Sequence, residues 1–250
     1  METQNISETE LSLEKWAKRK ELSFKIFNQI APTYDLLNRI LSFGIDVSWR
    51  KKMAMNLPAS PKDRKLFVLD LACGTADLSL QLAKNDNVGK IIGMDLSEKM
   101  IEVGNKKIKS KKMEKKVKLH IGDACNIPSG DQTFDLVTIS FGIRNFPDPL
   151  KSLKEINRVL RPEGKVIIME FSLPKNKLIK LIYLNYFRYV LPFLGKIISK
   201  NKDAYKYLNN TVEDFPYGPD FLELMKQAGL KDTQQQSLTF GIASIYYATK

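Results

Sequence analysis

Leu66-Phe67-Val68-Leu69-Asp70-Leu71-Ala72-Cys73-Gly74-Thr75-Ala76-Asp77 is the stretch that decides the fold. Its first half is apolar except for one acid, and its second half is small or polar. A short continuous apolar run suits a strand buried on both faces of a parallel sheet. Small residues after it mark a turn where backbone comes close to a ligand and a helix begins.

Outward from that stretch, similar apolar runs recur at residues 90–95, 117–121, 134–140 and 165–171. Helical periodicity fills the intervals at 77–84, 98–109 and 149–160. Strands alternating with helices predict a doubly wound, mostly parallel α/β sheet. A last helix at 219–228 leads through Gly229 to strand-like runs at 231–238 and 241–248. These are close enough to pair, giving seven strands with an antiparallel C-terminal edge hairpin. Upstream, residues 14–57 read as helices. Trp16, Ile26, Phe27 and Ile30, then Leu36, Leu37, Ile40 and Leu41, fall at helical spacing, with Pro32 and Gly44 as punctuation. We expect one domain over 1–250, with a helical cap (1–60), a cofactor-binding core (61–172), a basic and apolar insertion (173–210), and a C-terminal helix and hairpin (211–250).

Composition narrows the function. The 250 residues are 43% hydrophobic and 27% charged, ordinary globular usage. Two cysteines and one histidine argue against a disulfide framework or a dedicated zinc site, so no metal is expected. No basic start followed by an apolar core marks a secretory signal, and the cytoplasm is the expected compartment. The net charge of +12 attracts anions without saying which kind.

Ligands of such sheets sit outside the carboxyl ends of the strands. The nicotinamide fingerprint G-x-G-x-x-G is absent after the first strand. Asp70 stands before the turn instead, where a carboxylate attracts the ammonium of an amino-acid-like ligand, directly or through water. Asp95 ends the second strand, about 20 residues after the first loop, the distance at which an acid takes ribose hydroxyls. Asp123 and Ala124 end the third strand, where a carboxylate accepts from an adenine amino group and a backbone N–H serves a ring nitrogen. The fourth ends Ser140-Phe141-Gly142-Ile143-Arg144-Asn145, beneath a reacting group. A single acid at a strand end is more often a helix cap, and Asp77 is placed to be one. Four consecutive ends with suitable chemistry are harder to set aside.

At this point the residues resemble the UbiE/MenG quinone-biosynthesis methyltransferases. DLACGTAD, GMDLSEKM, GDACNIPSGDQTFDLVTISFGIRN and LRPEGKVIIMEFSLP carry the likeness, as does IFNQIAPTYDLLNRILSFGIDVSWRK upstream. FNQIAPTYDLLN and ISFGIRN are its most specific parts, and it runs from about Lys25 to the C-terminus. The resemblance implies a class I (Rossmann-like) methyltransferase fold, S-adenosyl-L-methionine as cofactor, and C-methylation of demethylmenaquinol or of the equivalent ubiquinol precursor. Family cofactor positions fall on Thr75, Asp95, Asp123 with Ala124, and Ser140, beside Asp70 and Gly74. One departure is Ala76, where the family commonly has glycine. Binding is expected to survive it, provided φ at Ala76 is negative.

A quinone ring carbon is electrophilic, whereas the quinol is electron-rich, so the expected substrate is a prenylated quinol. Arg144 is the candidate oxyanion stabiliser, because arginine stays protonated and favours a phenolate. Asn145 is placed to orient the second ring oxygen, and Tyr34 with Asp35 to form a lid. His120 lies inside a strand and reads as packed or exposed rather than as a base. Cys73 and Cys125 read as small packing residues rather than nucleophiles.

Residues 173–206 mix aromatic and apolar side chains with cations. Asn185, Arg188, Pro192 and Lys196 interrupt the apolar run, which argues against a spanning helix. Aromatics flanked by cations suit transient contact with an anionic membrane surface, on the inner face of the cytoplasmic membrane. A helix covering the protein's own sheet is the plainer alternative. The basic run KKIKSKKMEKKVK, from Lys106 to Lys118, reads as a solvated face. A nucleic-acid methyltransferase is the runner-up on charge alone. No (N/D)-P-P-(Y/F)-like motif follows the fourth strand and no RNA-binding module is visible, so no nucleic-acid partner is expected. A lipid-binding protein without catalysis is a third option, disfavoured by Thr75, Asp95, Ser140 and Arg144. A homodimer is left open.

Overall fold

A computed structural model describes residues 21–190, 211–212 and 215–250. Trp16 and the part of the insertion beyond residue 190 lie outside them.

Seven strands form one sheet in the order β3-β2-β1-β4-β5-β7-β6. They are β1 (Leu66–Leu71), β2 (Val88–Asp95), β3 (Val117–Ile121), β4 (Phe134–Ser140), β5 (Leu160–Phe171), β6 (Lys231–Leu238) and β7 (Ala243–Thr249). The first five run parallel, while β7 pairs antiparallel with β5 and with β6. The expected mostly parallel sheet with an antiparallel edge is therefore what forms. β5 starts earlier than its apolar run, because Leu160 already pairs with Phe134 before an irregularity in the ladder. β1 is central and its apolar residues are buried on both faces, as its unbroken apolar run requires.

Helices α4 (Asp77–Leu82), α5 (Glu98–Ser110), α6 (Pro149–Val159) and α8 (Pro219–Gln227) cover the sheet. Two large clusters fill its faces. One joins Val68, Ile91, Leu136 and Ile167 to α4, α5 and Trp49; the other joins Leu69, Val137 and Ile168 to α6 and α8.

A third layer closes the carboxyl rim. It contains α1, described over residues 21–30, α2 (Tyr34–Leu41), α3 (Ile45–Met55) and α7 (Lys177–Asn185), which runs into a π-turn at Tyr186–Val190. Ile26, Leu37, Tyr183 and Val212 form its small core against Phe171, Leu173 and Ile242. N-terminal cap and insertion thus make one unit over the ends of β5 and β7. Among the described residues no helix is long and apolar enough to cross a membrane.

Candidate active site

The carboxyl ends of β1, β2, β3 and β4 and the cap line a partly open cavity, about 660 Å³ when the solvent space at its mouth is included. Two neighbouring strands leave the sheet in the same unusual way. After β1, Ala72 has φ 49°; after β4, Phe141 has φ 58°. Left-handed backbone at residues with a side chain is strained, and such strain collects at functional sites. Gly142 lets the two turns approach: a Cβ there would lie 2.4 Å from the Cβ of Ala72. The first turn continues through Gly74 (φ 53°) to Ala76 (φ 68°). The condition set for Ala76, a negative φ, is therefore not met. Ala76 stands at the N-cap of α4 with left-handed backbone, where an N-cap is ordinarily extended. Asp77 does not cap that helix; it is the first helical residue and is held in ion pairs instead.

On the β1–β3 side, Gly74 N–H donates to Asp95 Oδ2 at 2.9 Å and Ser97 N–H to Oδ1 at 2.8 Å. Each carboxylate oxygen keeps accepting capacity toward the cavity that Asp95 lines. Burial raises the Asp95 carboxyl above its ordinary range, against the N–H bonds of Ser97 and Gly74. Asp123 and Ala124 line the same wall, and Asp123 Oδ1 accepts from Cys125 N–H at 2.9 Å. Ser97 also caps α5 through Met100 N–H, and its hydroxyl lies 2.6 Å from Asn28 Oδ1 of α1, which ties the cap to this rim.

On the β4–β5 side the polar atoms are not all satisfied. Among the described residues Ser140 Oγ and Asn145 Oδ1 are buried without a hydrogen-bond partner, and both residues line the cavity. Around them the wall is apolar: Leu71, Met94, Phe141 and Phe146. Tyr34 and Phe27, from the cap, complete the enclosure in an edge-to-face contact. Burial pushes the Tyr34 hydroxyl above the ordinary phenol range.

Three expected site residues stand elsewhere. Asp70 is fully buried beneath the turn, accepting from Ser79 Oγ at 2.5 Å and Thr138 Oγ1 at 2.8 Å. It is outside the cavity wall, and burial pushes its carboxyl up to about 6. Thr75 Oγ1 donates to Asp35 Oδ1 at 2.5 Å and accepts from Lys107 Nζ at 3.1 Å, so it faces the cap–α5 junction. Arg144 is 4% exposed and does not line the cavity. Its Nη1 donates to Glu170 Oε1 at 2.6 Å and to Phe141 O at 2.7 Å, and its backbone N–H reaches Glu170 Oε2 at 3.3 Å. The guanidinium lies 5.2 Å from the Phe171 ring centre. Arg144 is thus a buried partner of Glu170 that clasps the strained Phe141, not an open oxyanion site.

His120 is exposed on the β3 edge. Cys73 and Cys125 are buried and burial raises both thiols, in keeping with packing roles. Sequence reasoning missed Glu170, although a lone acid inside the apolar run VIIMEF was a visible signal. Lys107 was hidden inside its basic run.

The profile of the ubiE/COQ5 methyltransferase family matches residues 15–250. A demethylmenaquinone methyltransferase of Lactobacillus johnsonii is 41% identical over 226 residues, 90% of this chain and 91% of the relative. A ubiquinone/menaquinone biosynthesis C-methyltransferase, UbiE, of Geotalea daltonii is 41% identical over 237 residues, 94% and 99% of the two chains. Among solved structures, a SAM-dependent methyltransferase from Thermotoga maritima superimposes with a TM-score of 0.64 at 20% identity, covering 91% of this chain and 99% of that one. That likeness concerns the class I methyltransferase fold alone.

Proposed function

The chain belongs to the ubiE/COQ5 methyltransferase family, and from that premise we propose that it C-methylates a prenylated quinol with S-adenosylmethionine, converting demethylmenaquinol to menaquinol. One observation carries the site assignment. Ser140 Oγ and Asn145 Oδ1 lie buried and unpartnered in an apolar wall, in a cavity that also presents the Asp95 carboxylate. Leaving buried polar atoms unpaired costs about 1–3 kcal/mol each, a cost a bound ligand removes.

The residues present fit the cofactor. Asp95 keeps two carboxylate oxygens able to accept ribose hydroxyls, and Gly74 brings backbone close beside it. Asp123 and Ala124 would hold the adenine, and Ser140 the amino-acid end or the acceptor ring. When bound, S-adenosylmethionine supplies a methyl group on a positively charged sulfur. Asn145 would take one quinol oxygen and so fix the ring. Phe141, Phe146, Phe27 and Tyr34 exclude water and keep the ring in contact with the donor. Arg144 acts here as a positioning residue: with Glu170 it pins Phe141 and aims the segment that carries Asn145.

We further propose peripheral contact with an anionic membrane. Leu178, Leu181, Ile182 and Tyr189 of the insertion are exposed, as is Phe43, which packs near Tyr186. Lys175, Lys177 and Arg188 flank them on exposed positions. Such a face suits a substrate with a membrane-embedded tail.

The test is mass spectrometry of cellular quinones after deletion of the gene, together with methyl transfer by the purified chain from labelled S-adenosylmethionine. Accumulated demethylmenaquinone and a labelled menaquinol are expected. A benzoquinone precursor accumulating instead would move the substrate to ubiquinone synthesis. Label appearing in RNA and not in quinol would overturn the assignment.

A further inference from the structure

Lys107 is unlike the other lysines around it. Lys106, Lys109, Lys111 and Lys112 are exposed, whereas Lys107 turns inward from α5. Its Nζ lies 2.8 Å from Asp35 Oδ2 on α2 and 3.1 Å from Thr75 Oγ1 in the β1 turn, and it pairs with Asp77 at the start of α4. Thr75 and Asp35 are bonded to each other as well. The network continues outward: Arg39 of α2 and Arg50 of α3 both bond Asp46 and both approach Asp77, at 3.9 Å and 3.8 Å. One ammonium group therefore joins the cap, the glycine turn and α5.

The position of that junction matters because the cap walls the cavity. Ser23, Phe27 and Tyr34 line it from above, and Gly74 lines it from below. Tyr34 is next in sequence to Asp35, and a Cβ on Gly74 would lie 3.8 Å from the Tyr34 ring. A ligand between these walls is held more tightly the closer they are drawn together. Leu37 of α2 packs with α1 and the insertion, and against Phe171 and Ile242 at the sheet rim. The link of α2 to the glycine turn is ionic and only part-buried, with Lys107 24% and Asp35 36% exposed. A contact of that kind closes a gate without locking it.

We infer that Lys107 is a positioning residue that latches α2 over the cofactor turn through Asp35 and Thr75, and so sets how tightly the cavity holds its adenosyl ligand. This rests on the proposed cofactor reading of the cavity.

Calorimetric titration of S-adenosylhomocysteine into the full-length chain tests it. Lys107→Met keeps the aliphatic stem but removes the ammonium. It is expected to weaken affinity about fivefold, the low end of typical coupling between sites. Lys107→Arg, which keeps the charge, restores most of the affinity. Lys109→Met, with the same change in net charge at an exposed position, leaves affinity unaltered. Raising salt from about 50 to about 500 mM weakens the wild type toward the Lys107→Met value and leaves that variant nearly flat, because part-exposed charges are screened. Limited proteolysis in the bound state should cut the cap faster in the variant. Equal affinity and equal salt dependence for wild type and Lys107→Met would overturn the latch while sparing the cofactor assignment. Failure of the wild type to bind at all would overturn both. If Lys107→Met does not fold, Asp35→Asn breaks the same contact from the cap side and must show the same loss of salt dependence.

Discussion

The two halves of the cavity are built on different terms. On the β1–β3 side the carboxylates that line the cavity are already engaged by nearby backbone: Asp95 by Gly74 and Ser97, Asp123 by Cys125. On the β4–β5 side, among the described residues, Ser140 and Asn145 keep unpartnered atoms and the Arg144–Glu170 ion pair is buried. The first half is preorganised by local chain geometry. The second spends stability to hold a shape, and recovers it only with a partner in place.

The sharpest way to break this contrast is at the buried pair. Arg144→Ala leaves Glu170, fully buried, without its cation, and should cost about 3–5 kcal/mol of stability, read by denaturant unfolding. Replacing both, as Arg144→Met with Glu170→Leu, should recover most of that stability, since apolar substitutes for a buried pair are often neutral. Turnover should stay low in the double variant if the pair aims Asn145. A double variant with wild-type turnover would reduce the pair to a fold element.

Next in size is Asp95→Ala. Losing an acceptor of two hydroxyls should weaken S-adenosylmethionine about 100-fold by calorimetry, on charge-assisted hydrogen bonds worth about 1.5–3 kcal/mol. The fold should stay intact. Unchanged affinity would detach the β2 end from the cofactor and erase the difference between the halves.

Smallest is Ala76→Gly. Relief of left-handed backbone, about 1–2 kcal/mol, competes with loss of one buried methyl, about 0.8 kcal/mol. A gain of about 0.5 kcal/mol in unfolding free energy is expected, with cofactor affinity unchanged. A destabilised glycine variant would mean that packing of the methyl against the loop outweighs the strain.

Much of the first half was readable from the chain alone. Asp95, Asp123 and Ala124 stand at the ends of apolar runs, and the two carboxylates meet backbone within two residues or at the adjacent strand end. The second half was readable only in part. Ser140 and Asn145 were placed correctly on the rim, but Arg144 was expected to face the substrate. Its partner Glu170 is 26 positions away on the neighbouring strand, and nothing local announces the pairing. Thr75 was expected to hold the cofactor, yet its hydroxyl meets Asp35, 40 positions earlier, and Lys107, 32 positions later. Asp70 was expected at the ligand, directly or through water, and is tied to Ser79 and Thr138 beneath the turn.

What the amino-acid order determined by itself is the alternation of strands and helices, the strand ends, and the acids that sit on them. Burial period and turn chemistry act over a few residues, so they are written locally. What only the tertiary structure decided is which polar groups are spent on one another and which are left open. That depends on strand order and register, which bring Arg144 to Glu170 and Lys107 to Asp35 across the fold. A side chain's role follows from whatever meets it there.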